Sequence, residues 1–279
     1  MVPVLSFVSM VVAIIISVII PVLMCIIIKK KYNTSIKAFL LGCAGFFVFA
    51  GILESTINQI VLLVLPIGKT IQGNIYVYAL YGGLAAGIFE ETARFLIMKF
   101  LLKKEYKNPF NSIMYGAGHG GFEVMFLIGT GMLNNIIYSV LINTNQISVI
   151  TATLPAEQQE QFELVINQLI ELKPYEYFAG FIERIPAVAI HIALSVIVWI
   201  AVTKKKTWLY PVAIILHALV DAVFLIIGNQ IKDMGLNSLL VEPFVYICAI
   251  ILCVFAVILW KKNKMKEIDI SENVINESK

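Results

Sequence analysis

The chain has 279 residues, of which 59% are hydrophobic and 14% charged, with a formal net charge of +3 and a mean hydropathy of +0.88. A soluble domain carries about 25% charged residues, so the composition excludes an ordinary water-soluble globule and points to the bilayer. The charge is too small for a nucleic-acid binder, and Cys25, Cys43, Cys248 and Cys253 lie in apolar stretches without CxxC spacing, as small core residues do.

A spanning helix needs about 20 mostly apolar residues, and seven segments provide them. Segment 4–28 ends at "KKKYN"; it is too long for a signal-peptide core and lacks a small-residue cleavage site, so it reads as a retained helix. Segment 36–64 is long enough to tilt or kink, and its Glu54 and Asn58 lie nearer the outer face, where structural use is expected and lining a polar cavity shared with the later spans is the alternative. Segment 75–102 contains "FEETARF", residues 89–95. Segment 109–142 is overlong and rich in glycine, and segments 177–202, 208–228 and 240–260 complete the set. The expected fold is all-α: one polytopic transmembrane helix bundle over 1–260, followed by a polar, solvated tail at 261–279.

Lysine placement sets the orientation. With seven spans, Lys29, Lys30, Lys31, Lys37, Lys99, Lys103, Lys104, Lys107, Lys204, Lys205, Lys206 and the tail from Lys261 fall on one side, against Lys69, Lys173 and Lys232 on the other. The N-terminus is therefore expected outside and the C-terminus in the cytoplasm. The outer loop 144–176 contains a helical stretch, 155–173, with Pro155 at its start and Glu157 and Glu160 near its positive end. Its Phe162, Val165, Ile166 and Leu169 form one apolar stripe, suited to the outer membrane surface or to a packed cap.

Ionisable side chains inside a bilayer cost roughly 2.5–3.5 kcal/mol each and face a bundle interior or a wet cavity. Span midpoints near residues 87, 121, 190 and 218 place Glu90, Glu91, His119, Glu123, His191, His217 and Asp221 within about 6 Å of one plane. Glu90 and Arg94, His119 and Glu123, and His217 and Asp221 are i,i+4 pairs, each expected to present both groups to one neighbour. Arg184 and Ser195 share the face of His191, and Glu183–Arg184 reads as a structural ion pair. Gly116, Gly118, Gly120 and Gly121 allow the helix carrying His119 to pack closely.

Three kinds of chemistry fit this layer. In hydrolysis, Glu90 or Glu91 acts as general base on a water while histidines bind a metal or hold the oxyanion. Proton- or ion-coupled transport also uses midplane acids and histidines, although the inverted repeats common in transporters are not evident. In a scaffold, the polar layer only fixes helix packing or serves a partner.

"EETAR" (90–94), "YGAGH" (115–119) and "HALVD" (217–221) occur in this order on polar-cored helices. The set resembles the motifs of type II CAAX prenyl endopeptidases, the CPBP superfamily, with PrsW proteases as relatives. The extended "YGAGHGGFE" and the further histidine of "ERIPAVAIHIALS" resemble the YhfC group of bacterial intramembrane metalloproteases. The resemblance implies an intramembrane peptidase acting on a peptide or membrane protein among lipids. Glu90 or Glu91 would activate water and Arg94 would orient the glutamates. His119 and His217 would bind the metal or stabilise the oxyanion, with Asp221 assisting. Glu123 and His191 have no counterpart in the core CAAX pattern and extend the candidate ligands to His119, Glu123, His191 and His217, for a divalent metal such as zinc.

Overall fold

The computed structural model describes residues 1–265, so the expected tail lies outside the described residues from 266 onward. Those residues form helices and connecting turns, with no strand among them. The order is α1 (Val4–Tyr32), α2 (Ile36–Val64), α3 (Ile67–Gln72), α4 (Ile75–Leu101), α5 (Asn111–Asn143), α6 (Ile147–Thr151), α7 (Ala156–Glu171), α8 (Gly180–Thr203), α9 (Leu209–Asp233) and α10 (Glu242–Lys262). This is the expected all-α fold of a polytopic membrane protein.

Among the described residues, six helices are long and apolar enough to cross a bilayer: α1, α2, α5, α9, α8 with its preceding turn, and α10 with its preceding turn. The third expected span, α4, is not among them. Its 27 residues reach about 40 Å at 1.5 Å per residue, so length suffices; Glu90, Glu91, Arg94 and Lys99 lower its apolarity. Helix α1 shows the membrane pattern of small or polar residues inward and large apolar residues outward. Its Ser6, Ser9, Ala13 and Ser17 are buried, while Val4, Leu5, Ile15 and Ile19 are exposed.

The chain divides into two compact units, Met1–Leu23 with Val124–Arg184, and Met24–Glu123 with Ile185–Lys279. In the first, Val2, Met10, Ile142, Ile166, Leu169 and Tyr177 form an apolar cluster. The main chain of Val2 is held at both N–H and C=O by the Asn143 amide, at 2.8 and 2.9 Å. Two residues of the α7 stripe, Ile166 and Leu169, are buried in this cluster and Phe162 packs against it, whereas Val165 stays exposed. Helix α7 is thus packed into its own unit along most of the expected stripe. The Glu157 side chain lies outside the described residues.

The second unit is organised around α8, where residues 193–201 are buried without a break. Helix α4 starts at Asn74, whose Oδ1 accepts from the Tyr76 and Val77 N–H groups at 2.9 and 3.3 Å, a standard N-cap. At its other end the Lys37 ammonium donates to the Leu101 carbonyl at 2.7 Å, a cation at the negative end of the helix dipole. Glycines bring the helices into backbone contact. A Cβ on Gly118 would lie 2.1 Å from the Phe39 carbonyl oxygen of α2, and one on Gly116 2.6 Å from the Ile192 Cα of α8. Gly83 and Gly87 of α4 meet the Ala218 and Ile214 carbonyls of α9 in the same way, at 2.3 and 2.6 Å. These crossings place four polar stretches against one another.

Candidate active site

Helices α4, α5, α8 and α9 of the second unit supply the site. Glu90, Glu91, Arg94, His119, His191 and His217 are all buried, with Glu91, Arg94 and His119 fully so. Residues expected at one depth are therefore also close in space. The three imidazoles stand in a row, with centroids 5.1 Å apart for His119–His191 and 5.5 Å for His191–His217.

Arg94 is the hub. Its Nη1 donates to Glu91 Oε1 in a short contact, its Nη2 donates to His191 Nδ1 at 2.6 Å, and its Nε donates to Ser195 Oγ at 3.3 Å. Nη2 also lies 3.6 Å from Glu90 Oε2. A guanidinium can only donate, so His191 Nδ1 accepts and the proton of a neutral ring sits on Nε2. That nitrogen faces Glu123 Oε2 in a short contact. One carboxylate and one guanidinium thus fix the tautomer and tilt of His191.

The two glutamates have different surroundings. Glu91 is fully enclosed; its Oε1 takes both Arg94 and His217 Nδ1, the latter at 2.8 Å. Glu90 Oε2 meets His119 Nε2 at 2.8 Å and lies 3.7 Å from His191 Nδ1, with 9% of the side chain exposed. His217 Nε2 is 3.5 Å from Asp221 Oδ2, and the Asp221 side chain is 37% exposed.

Several expected pairings changed partner. Glu91, at i,i+3, holds Arg94 more closely than Glu90 does at i,i+4. His119 and Glu123 were expected to face one neighbour; His119 meets Glu90 of α4 and Glu123 meets His191 of α8. His217 and Asp221 do approach each other along α9. Arg184 pairs with Glu183, as a structural pair would. Same-helix spacing could not reveal the Arg94–His191 bond. It placed Ser195 on the His191 face without assigning it the guanidinium.

Four carboxylates (Glu90, Glu91, Glu123, Asp221) gather with one guanidinium, an arrangement that a low-dielectric interior tolerates when carboxyls are protonated or further positive charge, on imidazoles or a bound cation, is present. The ligand atoms of Glu90, His119 and His191 all lie within 4.8 Å of one another. His119 Nδ1 is buried without a hydrogen-bond partner. Two imidazoles and a carboxylate are a donor set that zinc takes in hydrolytic sites, so these residues fit a divalent ion. The expected ligands His119 and His191 belong to this group, Glu90 joins them, and Glu123 and His217 stand behind it on His191 and Glu91. His191 Nδ1 would be available to an ion only if it gave up its bond from Arg94.

A family model described as YhfC intramembrane metalloprotease matches residues 16–245 of the chain. An uncharacterized membrane protein YhfC of Bacillus subtilis (strain 168) is 35% identical over 191 residues, covering 68% of this chain and 73% of the relative. No solved structure matches.

Proposed function

The chain belongs to the YhfC intramembrane metalloprotease family, and on that premise we propose that it is a membrane-embedded endopeptidase that hydrolyses a peptide bond within or near the bilayer. The observation that carries this reading is the buried convergence of Glu90, His119 and His191, with Arg94 bonding to Glu91 and His191 at once. The motif order shared with CAAX prenyl endopeptidases and PrsW proteases supports placing the family beside them.

Glu90 is assigned the water. Its carboxylate is less enclosed than that of Glu91 and faces the imidazoles, so it can take a proton from the attacking water. Glu91 holds Arg94 and His217 in register. His217 donates Nδ1–H to Glu91, so its imidazolium form is the one with an Nε2–H, near Asp221, to offer a developing oxyanion. Glu123 keeps His191 oriented. A divalent ion such as zinc would be held by His119 and His191 beside the Glu90 carboxylate, which keeps its role as base, and would supply Lewis acidity there. Excluding bulk water protects the charged groups and strengthens their interactions.

The chain is proposed to cross the bacterial cell membrane seven times, with α4 as a polar third span and the C-terminus in the cytoplasm. This topology keeps the lysine clusters on one side.

The test compares cells expressing the wild type with cells expressing the Glu90→Gln or His119→Ala variant, all at equal levels. New C-termini generated within membrane proteins are catalogued by mass spectrometry. The reading expects fragments that disappear with Glu90→Gln and His119→Ala. Identical fragment sets in all three strains would overturn it.

A further inference from the structure

We propose that Glu54, Asn58, Tyr81 and Asp221 line a hydrated entry track leading from the end of the second unit where α4 begins to Glu90 and Glu91. The track rests on the peptidase reading only in naming an unwound peptide backbone as what it admits.

Helix α2 is not a plain α-helix. It has π-helical turns at Phe46–Glu54 and Ile60–Val64, separated by an α-helical stretch at Ser55–Gln59. Wide turns of this kind are uncommon and cluster at functional sites. Glu54 closes the first one. Its Oε1 accepts from Asn58 Nδ2 at 3.3 Å, and Asn58 Oδ1 accepts from the Tyr81 hydroxyl of α4 at 2.8 Å. A row of polar groups therefore bridges two helices that otherwise carry large apolar side chains.

The wide turn that Glu54 closes begins at Phe46, whose ring stands edge-on to His119 with centroids 5.3 Å apart, so this stretch of α2 packs against the candidate active site. The Glu54 carboxylate is within electrostatic range of Glu90, His217 and Asp221. Like charges gathered in hydrocarbon require solvation. Glu54, Asn58, Tyr81 and Asp221 are all half-buried, in contrast to the closed cluster beyond them. Side-chain exposure rises from 0% at Glu91 to 9% at Glu90 and 37% at Asp221. Tyr81 precedes Glu90 by nine residues, which places it about 13 Å nearer the start of α4.

The chemistry of the row fits a peptide. Cleavage needs an extended backbone, and each backbone group unpaired in lipid costs several kcal/mol. An amide, a phenol and two carboxylates provide both donors and acceptors along the way. Ile57, between Glu54 and Asn58 in sequence, is 43% exposed and apolar, the character of a lipid-facing position.

The experiment measures thiol reactivity in membrane vesicles of the full chain, with Cys25, Cys43, Cys248 and Cys253 replaced by alanine. Single variants Glu54→Cys, Asn58→Cys, Tyr81→Cys and Ile57→Cys are treated with a membrane-impermeant methanethiosulfonate, which needs a hydrated thiolate. Lys69→Cys marks the side on which α4 begins. The track predicts that the Glu54, Asn58 and Tyr81 variants react at least about tenfold faster than Ile57→Cys, from the side that labels Lys69→Cys. Rates equal to Ile57→Cys, or reaction only from the opposite side, would overturn it. Should the Glu54 variant fail to accumulate, the other two carry the same prediction. Reactive cysteines in a protein whose wild-type, Glu90→Gln and His119→Ala strains yield identical fragment sets would sink the peptidase reading and leave the hydrated track standing.

Discussion

Arg94 is fully buried and spends all three of its nitrogens on partners from two helices. Removing it leaves the enclosed Glu91 with an uncompensated charge. Breaking a buried pair from one side costs about 3–5 kcal/mol, so Arg94→Ala is expected to unfold at a much lower temperature in detergent. Ser195→Ala removes one hydrogen bond and should cost about 1 kcal/mol. If the two variants melted alike, the hub role would be wrong. Metal content gives a second residue-scale prediction. Purified wild type should carry about one zinc per chain and His119→Ala much less, since His119 is one of the two imidazoles that would hold it. Equal zinc in both would place the ion elsewhere. That these charged residues would gather was legible in the sequence, because their positions along the expected spans follow from helix rise. Their pairing was not, because i,i+4 rules describe one helix and Arg94, His119 and Glu123 each reach across to another.

At the scale of elements, glycine placement decides how closely the site helices approach. Gly118→Ala would drive a Cβ against the Phe39 carbonyl, 2.1 Å away on a neighbouring backbone. The helices must separate, so a lower melting temperature and weaker zinc retention are expected. At Gly131, on the same α5, an added Cβ would meet nothing within 4 Å. There Gly131→Ala should be neutral or stabilising by up to about 1 kcal/mol, the helix propensity difference. Similar losses at both positions would refute close packing as the reason for the glycines. The long helices were legible to within a few residues at most ends, as with 36–64 for Ile36–Val64 and 240–260 for Glu242–Lys262. The end of α9 was not: the helix continues to Asp233 through polar residues that hydropathy does not recognise. The short α3 and α6 and the π turns of α2 also left no periodic signal, since a π turn has no residue signature of its own.

For the whole molecule, the open question in the sequence was whether a helix carrying two glutamates and an arginine can be a span. Six other helices satisfy length and apolarity; α4 has its most polar residues buried by protein rather than facing lipid. Burial of that kind is what a polar span requires. Reporter fusions after residues 31, 107 and 206 and at the C-terminus should all report the cytoplasm. A fusion after 107 reporting the outside would remove α4 from the spans. The central claim, that Glu90 and His119 drive hydrolysis of a peptide bond in the membrane, is tested most directly in proteoliposomes. Purified protein is mixed with a library of single-span peptides in heavy-oxygen water, and product masses are read. Wild type should yield fragments whose new carboxyl group carries heavy oxygen, and Glu90→Gln or His119→Ala none above background. Equal labelled cleavage by wild type and both variants would contradict the claim.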